Sequence, residues 1–301
     1  MKIGAFAISV LLMAGGLQAS AETPSESVTV TGTRLREAVG NFTKSFATAT
    51  QVTGKIARWE RRVCPVVVGQ NPHTAAFITQ HIKYVALAAG APVNTEASCT
   101  PNIEIVFTAT PQALLDSVRK TDRDYLGYAT SNAQLDALAK VTRPIQAWYA
   151  TETVDFAGAR SADNGMARGE GIKLFTNMDP PMFVEKFTRS NGNHTNDSIH
   201  SGFSHVLIVI DTTRLAGQEI VPLSDYVSML ALTQLGSPDA CQELPSIVNL
   251  LAADCGHAAD GLSQFDLAYL QGLSKAGAGR RLVFQRNDIA DAMVETLAKA
   301  K

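Results

Sequence analysis

Three histidines and one aspartate are the side chains whose types and positions come nearest to a catalytic or metal-binding set. His194, His200 and His205 lie in or beside an Asn-, Ser- and Gly-rich stretch, 190–204, and Asp239 follows later in the chain. Imidazole and carboxylate groups are common zinc ligands, but this histidine spacing matches no standard site. The sequence leaves two interpretations open: solvated loop histidines, or a hydrolytic site formed by His200, His205 and Asp239.

Serine and cysteine nucleophiles have weaker support. Gly202-Phe-Ser-His-Val206 approaches the Gly-x-Ser-x-Gly elbow, but its last residue is Val206, and a strand is predicted where the elbow requires a helix. Cys255 precedes His257 closely, but a disulfide at Cys255 would leave no nucleophilic thiolate. The sequence therefore predicts no catalytic residue, no bound metal and no cofactor.

The N-terminal residues have the features of an export signal. Lys2 is followed by the apolar stretch 3–17 and by Ala19-Ser-Ala21, which predicts a signal peptide over 1–21 with cleavage after Ala21. The apolar stretch is shorter than the ~20 residues that span a bilayer. We therefore expect a periplasmic or secreted protein without a transmembrane segment after cleavage.

Export sets the expectation for the four cysteines, Cys64, Cys99, Cys241 and Cys255. An even number of cysteines in an exported chain favours disulfides over metal sites. Three connectivities are possible. The local pairing, Cys64 with Cys99 and Cys241 with Cys255, is the one we expect, since each pair brackets one compact segment.

The rest of the chain alternates between strand and helix patterns. Apolar runs bounded by Gly and Pro, and periodic apolar positions, predict these elements: strands at 63–69, 102–108, from about 144, and 205–211; helices at 74–89, 111–120, 222–236, 263–275 and from 287; loops at 155–171 and 190–204. Residues 22–50 are predicted as a disordered polar arm, in which Val28–Arg34 could be a short strand, a linker or a partner-binding segment. Residues 51–301 are predicted as one domain.

The segment from 222 to 247 resembles the active-site region of zincin metallopeptidases. The helix ends at Gly236, Asp239 follows, and Ser246-Ile247 resembles the tight turn beneath the zincin metal. Zincins carry two histidines four residues apart, with a glutamate after the first. The corresponding positions here are Met229, Leu230 and Thr233. The chain thus resembles a secreted Gram-negative bacterial family of unknown function with a zincin-like, metzincin-type layout that lacks the metal ligands.

This resemblance implies an α+β fold, in which helices pack on a mixed β-sheet, and a degenerate metal site. With 26 basic and 28 acidic side chains, the composition gives no reason to expect nucleic acid as a partner. We expect an exported, non-catalytic binding or envelope protein, with an envelope protein as a possible partner. The candidate cleft beside the helix comprises Met229, Thr233, Asp239, His200 and His205, and the alternative is a periplasmic hydrolase near the last three.

Overall fold

A mixed five-stranded β-sheet packed by helices forms the centre of the molecule. The computed structural model describes residues 32–96, 98–163, 172–175, 182–184, 196–215, 217–236, 238–252, 255 and 260–299. The strands are β1 (Pro65–Val68), β2 (Ile103–Thr108), β3 (Ile145–Val154), β4 (Arg160–Ala162), β5 (Ile172–Phe175), β6 (Met182–Val184) and β7 (His200–Asp211). β5 and β6 form a separate antiparallel pair.

The sheet has the order β1-β2-β7-β3-β4. β1, β2 and β7 are parallel, whereas β3 pairs antiparallel with β7, and β4 antiparallel with β3. β7 is therefore an internal strand, which explains its continuous apolar run. It is longer than the predicted strand at 205–211, since residues 200–203, which are expected to be loop, pair with β3, and Ser204 lies at a bulge between the two paired stretches.

The helices are α1 (Gly32–Phe46), α2 (Pro72–Ala88), α3 (Pro111–Thr121), α4 (Asn132–Leu138), α5 (Ile220–Leu232), α6 (Gln264–Lys275) and α7 (Leu282–Lys299). Short 3-10 helices occupy Arg123–Leu126 and Ile247–Leu251. Several helix starts follow local capping chemistry. The Asn71 side chain caps α2, and Ser263 and Asp266 form a capping box on α6.

Hydrophobic cores cover both faces of the sheet. Alternate residues of β7, Val206, Ile208 and Ile210, pack in the larger core with α1, α2, α5, α6 and α7. The intervening Leu207 and Val209 pack in a smaller core that includes side chains of α3, α4 and the 3-10 helix between them. Successive side chains of β7 therefore alternate between two helical layers, one on each face of the sheet.

The structure differs from the predicted arm 22–50 at its C-terminal part. Gly32–Phe46 is helix α1, and Val39, Phe42 and Phe46 are 0%, 3% and 0% exposed. These residues recur at helical spacing, so one face of α1 is apolar and packs into the larger core. The predicted signal peptide 1–21 and Val28–Thr31 lie outside the described residues.

The two disulfides have the pairing expected from the sequence, Cys64–Cys99 and Cys241–Cys255. The first joins the residue before β1 to the segment before β2, and the second closes the loop after α5. Within the described part of the chain, no helix has both the length and the apolar character needed to cross a membrane.

Candidate functional site

Two residues of the predicted cleft, Met229 and Thr233, lie in the core. Both side chains belong to residues that are 0% exposed, and the Thr233 hydroxyl lies 3.3 Å from the hydroxyl of Tyr269. α5 ends at Leu232, earlier than the predicted end at Gly236, with Thr233 as its C-cap. The space beside these two positions is filled core and does not form an open cleft.

Asp239, the third predicted residue, lies at the surface and pairs with Arg143. Its Oδ2 atom accepts from Arg143 Nε at 2.7 Å and lies 2.6 Å from Nη2. Arg143 stands just before β3, and Asp239 follows α5. The ion pair therefore connects the approach to β3 with the segment after α5.

A cavity of about 280 Å³ lies between β3 and the C-terminal part of α5. We call it the β3 groove. It is lined by Thr48–Gln51, Leu126–Tyr128, Leu138, Arg143, Ile145–Tyr149, Thr151, Tyr226, Leu230, Gln234, Leu235 and Pro238. The sequence pointed to a cleft beside this helix, but its lining residues are different from those predicted.

The outer edge of β3 forms one wall of the groove. The amide of Asp211 donates to the carbonyl of Pro144. In an antiparallel pair, hydrogen-bonding groups alternate between the two edges of a strand, so the even-numbered residues of β3 hydrogen-bond to β7. The main-chain groups of Ile145, Ala147 and Tyr149 consequently face outward. Among the described residues, no group hydrogen-bonds to the outward main chain of Ile145 or Ala147.

The remainder of this edge is covered. β4 pairs with Glu152–Val154, and the Asp163 amide donates to the carbonyl of Thr151 at 2.9 Å. Gly127 has φ +87°, and a Cβ placed there would lie 2.5 Å from the carbonyl oxygen of Tyr149. The part of the edge without a strand partner among the described residues therefore extends from Ile145, which is 2% exposed, to the amide of Tyr149.

The groove is polar but carries little net charge. Among the described lining residues, Arg143 is the one charged side chain, and Asp239 offsets it. Burial and then the nearby Asp239 raise the pKa of Tyr226 to about 12, and burial raises the pKa of Tyr149. Both phenols therefore stay neutral. The Tyr149 hydroxyl donates to the carbonyl of Leu230 at 2.9 Å, which attaches β3 to α5.

His200 belongs to a separate charged cluster at the other end of β3. Its Nε2 lies 2.8 Å from Glu60 Oε1, and Arg160 pairs with both Glu60 and Glu152. Arg61 holds Glu152 through two contacts of 2.9 and 2.6 Å. Each carboxylate and each guanidinium of this cluster has a partner of opposite charge.

Both glutamates of this cluster are ionised at neutral pH. Burial alone would raise the pKa of Glu60, but the His200 hydrogen bond and the neighbouring arginines outweigh it and lower that pKa. For Glu152 the burial effect is likewise outweighed by hydrogen bonds from Arg61 and Arg160, which lower its pKa. Neither carboxyl group holds a proton that it could donate as a general acid.

His205 occupies a third location, on the α3–α4 side of β7. Its ring lies 4.2 Å from the ring of Tyr125, and its buried Nε2, which has no hydrogen-bond partner among the described residues, lies 3.9 Å from Glu104 Oε1. Burial lowers the pKa of His205 to about 4, so the ring is neutral at pH 7. Burial, followed by Asp122, raises the pKa of Glu104.

The structure does not bring the polar members of the predicted cleft into one site. Ile145 pairs with Ile210 and Val154 pairs with His200, so these pairs mark opposite ends of β3. The nine residue steps between them span about 30 Å in a strand. Because Asp239 is bound beside the Ile145 end, it is remote from His200.

A histidine–aspartate pair that the sequence did not reveal joins α2 to α5. His81 Nε2 lies 2.5 Å from Asp225 Oδ1, and Asp225 Oδ2 accepts from the amide of Leu262 at 2.9 Å. The periodicity of α2 places His81 near its buried face, but no sequence signal connects it to Asp225, 144 positions away. The pair fixes the packing of these two helices.

Within the described ranges, no three His, Cys, Asp or Glu side chains are grouped as metal ligands. The β3 groove is thus distinguished by its unpaired main-chain edge and not by a set of reactive side chains. No family model matches the chain, and neither a curated protein nor a solved structure shows significant similarity to it.

Proposed function

We propose that this chain is an exported, non-catalytic binding protein that holds an extended segment of another polypeptide in the β3 groove. The predicted signal peptide 1–21 and the two disulfides support export. A zincin-like layout is part of the proposal, and the succession of a buried strand, β7, and a buried helix, α5, supports it. The partner would be an envelope protein.

The observation that carries this proposal is the open edge of β3. Ile145 and Ala147 line the cavity, and the β3–β7 register turns their amide and carbonyl groups away from β7, where another extended chain would gain most by pairing with them. Addition of a strand would complete the hydrogen bonding that β4 provides only further along β3. Side chains of the added segment would alternate between the two sides of the sheet.

The chemistry of the lining also fits a polypeptide. Amide and hydroxyl groups of Thr48, Gln51 and Gln234 can pair with peptide groups, and Tyr226 and Leu235 supply apolar surface. With a paired Arg143 and neutral phenols, the groove carries no net charge that would demand a strongly charged ligand.

A hydrolase that uses His200, His205 and Asp239 has less support. The three residues lie in separate places, and both glutamates beside His200 have lowered pKa values. A metal analysis tests this alternative directly: stoichiometric zinc that is lost in His200→Ala would favour it over the binding function.

Affinity selection from a mixture of random heptapeptides, read by mass spectrometry, tests the binding function. We expect the wild-type protein to retain a subset of peptides that Ala147→Pro does not retain. Proline removes the outward N–H of residue 147 without removing a bond to β7, and an outward-facing edge position tolerates proline. Circular dichroism should show that the variant remains folded.

A second measurement needs no variant. Binding of a retained peptide should slow amide hydrogen exchange at Ile145 and Ala147, whereas amides that face β7 should be unaffected. Retention of the same peptides by wild-type protein and Ala147→Pro, with unchanged exchange at both amides, would exclude the β3 edge as the binding site.

A further inference from the structure

We infer that the β3 groove recognises the C-terminal end of a polypeptide, with the terminal carboxylate bound by Arg143. This inference rests on the proposed function, because it specifies which part of a polypeptide the groove holds. Three features support it: the direction of β3, the donors of Arg143 and the closure of the groove beside that residue.

The direction of β3 determines which end of a paired chain lies near Arg143. Arg143 stands two residues before Ile145, at the start of the open edge. A chain that pairs antiparallel with β3 has its C-terminal end there, whereas a parallel chain would have its N-terminal end there. A guanidinium attracts a carboxylate and repels an ammonium group, so charge complementarity selects the antiparallel chain that ends at Arg143.

Arg143 has N–H donors that its pairing with Asp239 does not use. Asp239 uses Nε and Nη2, and both contacts go to the single oxygen Oδ2. Within the part of the chain that the structure describes, no acceptor bonds Nη1 of Arg143. Because a guanidinium presents five N–H groups in one plane, it can hold a second carboxylate while it keeps the first.

The shape of the groove suits a chain terminus. The Arg143–Asp239 pair connects the two walls at one end, so a chain that continued past this point would have to break or bypass it. Gly127 covers the carbonyl of Tyr149 at the other end of the open edge. From Ile145 to Tyr149 the edge spans roughly 13 Å in a strand, enough for only a few residues. The groove therefore pairs with the last residues of the ligand.

Asp239 places a negative charge beside the N–H groups of Arg143 that a ligand carboxylate would use. Its side chain is 62% exposed and that of Arg143 is 39% exposed, so the pair is weakly held in the free protein. A ligand carboxylate approaches Arg143 against the negative charge of Asp239. Asp239→Asn should therefore tighten binding of free-acid peptides several-fold and leave amidated peptides unaffected.

The test uses random heptapeptides synthesised in two forms, with a free C-terminal carboxylate and with a C-terminal amide. We expect the wild-type protein to prefer the free acids by about tenfold or more, as charge-assisted hydrogen bonds typically give. Arg143→Gln should bind both forms equally and weakly. The matched control is Arg36→Gln, which breaks an ion pair between Arg36 on α1 and Asp291 on α7, away from the groove. This variant should keep the preference for free-acid peptides.

The outcomes separate this inference from the proposed function. Equal retention of acids and amides by the wild-type protein, with loss of both in Ala147→Pro, would overturn the role of Arg143 and leave groove binding intact. Retention of no peptide beyond the Ala147→Pro background would overturn both. A free-acid preference that persists in Arg143→Gln would place the carboxylate at another residue and also contradict the inference.

Discussion

The carboxylate of Asp266 accepts a hydrogen bond from the hydroxyl of Ser246 at 2.5 Å and joins two segments 20 positions apart. Its other oxygen accepts from the amides of Ile247 and Ser263, each at 2.9 Å. One buried side chain thus caps α6 and holds the turn that begins at Ser246. Burial raises the pKa of Asp266, although these hydrogen bonds oppose the shift. The resemblance drew attention to Ser246-Ile247, and the structure shows what holds this turn.

Replacement of Asp266 should destabilise the fold strongly. Asp266→Ala removes the α6 capping interaction and leaves buried donors of Ser246 and Ile247 unpaired, which should cost about 2–4 kcal/mol. Urea unfolding followed by circular dichroism measures the difference. Asp291→Ala breaks an exposed pair with Arg36 and should cost under ~1 kcal/mol. Equal losses in the two variants would show that the Asp266 contacts contribute nothing beyond a surface pair.

His205 should make the protein sensitive to mild acid. Its folded pKa, about 4, lies below the ordinary value of 6.5, so the unfolded chain binds a proton that the folded chain excludes. Stability is therefore retained above pH 6.5 and falls as the pH drops toward 4, by at most about 3 kcal/mol from this residue. His205→Phe, which keeps a ring against Tyr125, should lose less stability over this range.

Thermal unfolding between pH 7 and pH 4 compares the two proteins. The exposed His73 provides the control, since His73→Phe should retain the wild-type pH dependence. If the wild-type and His205→Phe curves were parallel throughout, the His205 ring would have to be protonated as easily in the folded protein as in the unfolded chain.

Glu152 should stabilise the fold as an anion. Its side chain is 4% exposed and lies between Arg61 and Arg160. Glu152→Gln weakens charge-assisted hydrogen bonds in a buried setting, which should cost roughly 2–3 kcal/mol at pH 7. Because the folded pKa is lowered, this stabilisation is present above the ordinary value of 4.5 and disappears as the pH falls through the folded pKa.

The wild-type and Glu152→Gln proteins should therefore converge in stability at low pH, as measured by guanidinium unfolding at a series of pH values. Glu295→Gln alters a solvent-exposed pair with Lys299 in which the glutamate is 69% exposed, and should leave stability almost unchanged. A constant offset between wild type and Glu152→Gln down to pH 2 would indicate a packing effect and not a charge effect.

Local patterns predicted much of the fold, since α2, β2, α6 and the disulfide pairing depend on neighbouring residues. α1 is hard to predict because its polar composition, next to a polar N-terminal stretch, hides the helical spacing of Val39, Phe42 and Phe46. The Ser, Gly and His content of residues 200–204 predicts a loop, but pairing of residues 200–203 with β3 determines their conformation. Tertiary pairing overrode local propensity there.

The candidate site was harder to predict because its features are relations between distant segments. The open edge of β3 exists only because β4 is short and β7 lies on the other side. Arg143 had no distinguishing neighbours in the sequence, and its pairing with Asp239 spans 96 positions. The resemblance points to α5, which lines the β3 groove, but the residues that it selects on and after this helix, Met229 and Thr233, are buried.

Two helical glycines should respond in opposite ways to the same substitution. Ala is favoured over Gly in a helix by about 1 kcal/mol. At Gly40 in α1, a new Cβ would meet nothing within 4 Å, so Gly40→Ala should stabilise the protein by about 0.5–1 kcal/mol.

At Gly272 in α6, a Cβ would lie 2.9 Å from the carbonyl oxygen of Ile289 and 3.2 Å from its Cγ2, where α6 packs against α7. A backbone oxygen of a packed helix cannot move without displacing α7, and overpacking of this kind costs about 1–3 kcal/mol. The steric cost exceeds the gain in helix propensity, so Gly272→Ala should destabilise the protein. Chemical denaturation of the two variants side by side gives the sign of each change in stability. A Gly272→Ala protein that is more stable than the wild type would show that α6 and α7 leave room for a Cβ at position 272.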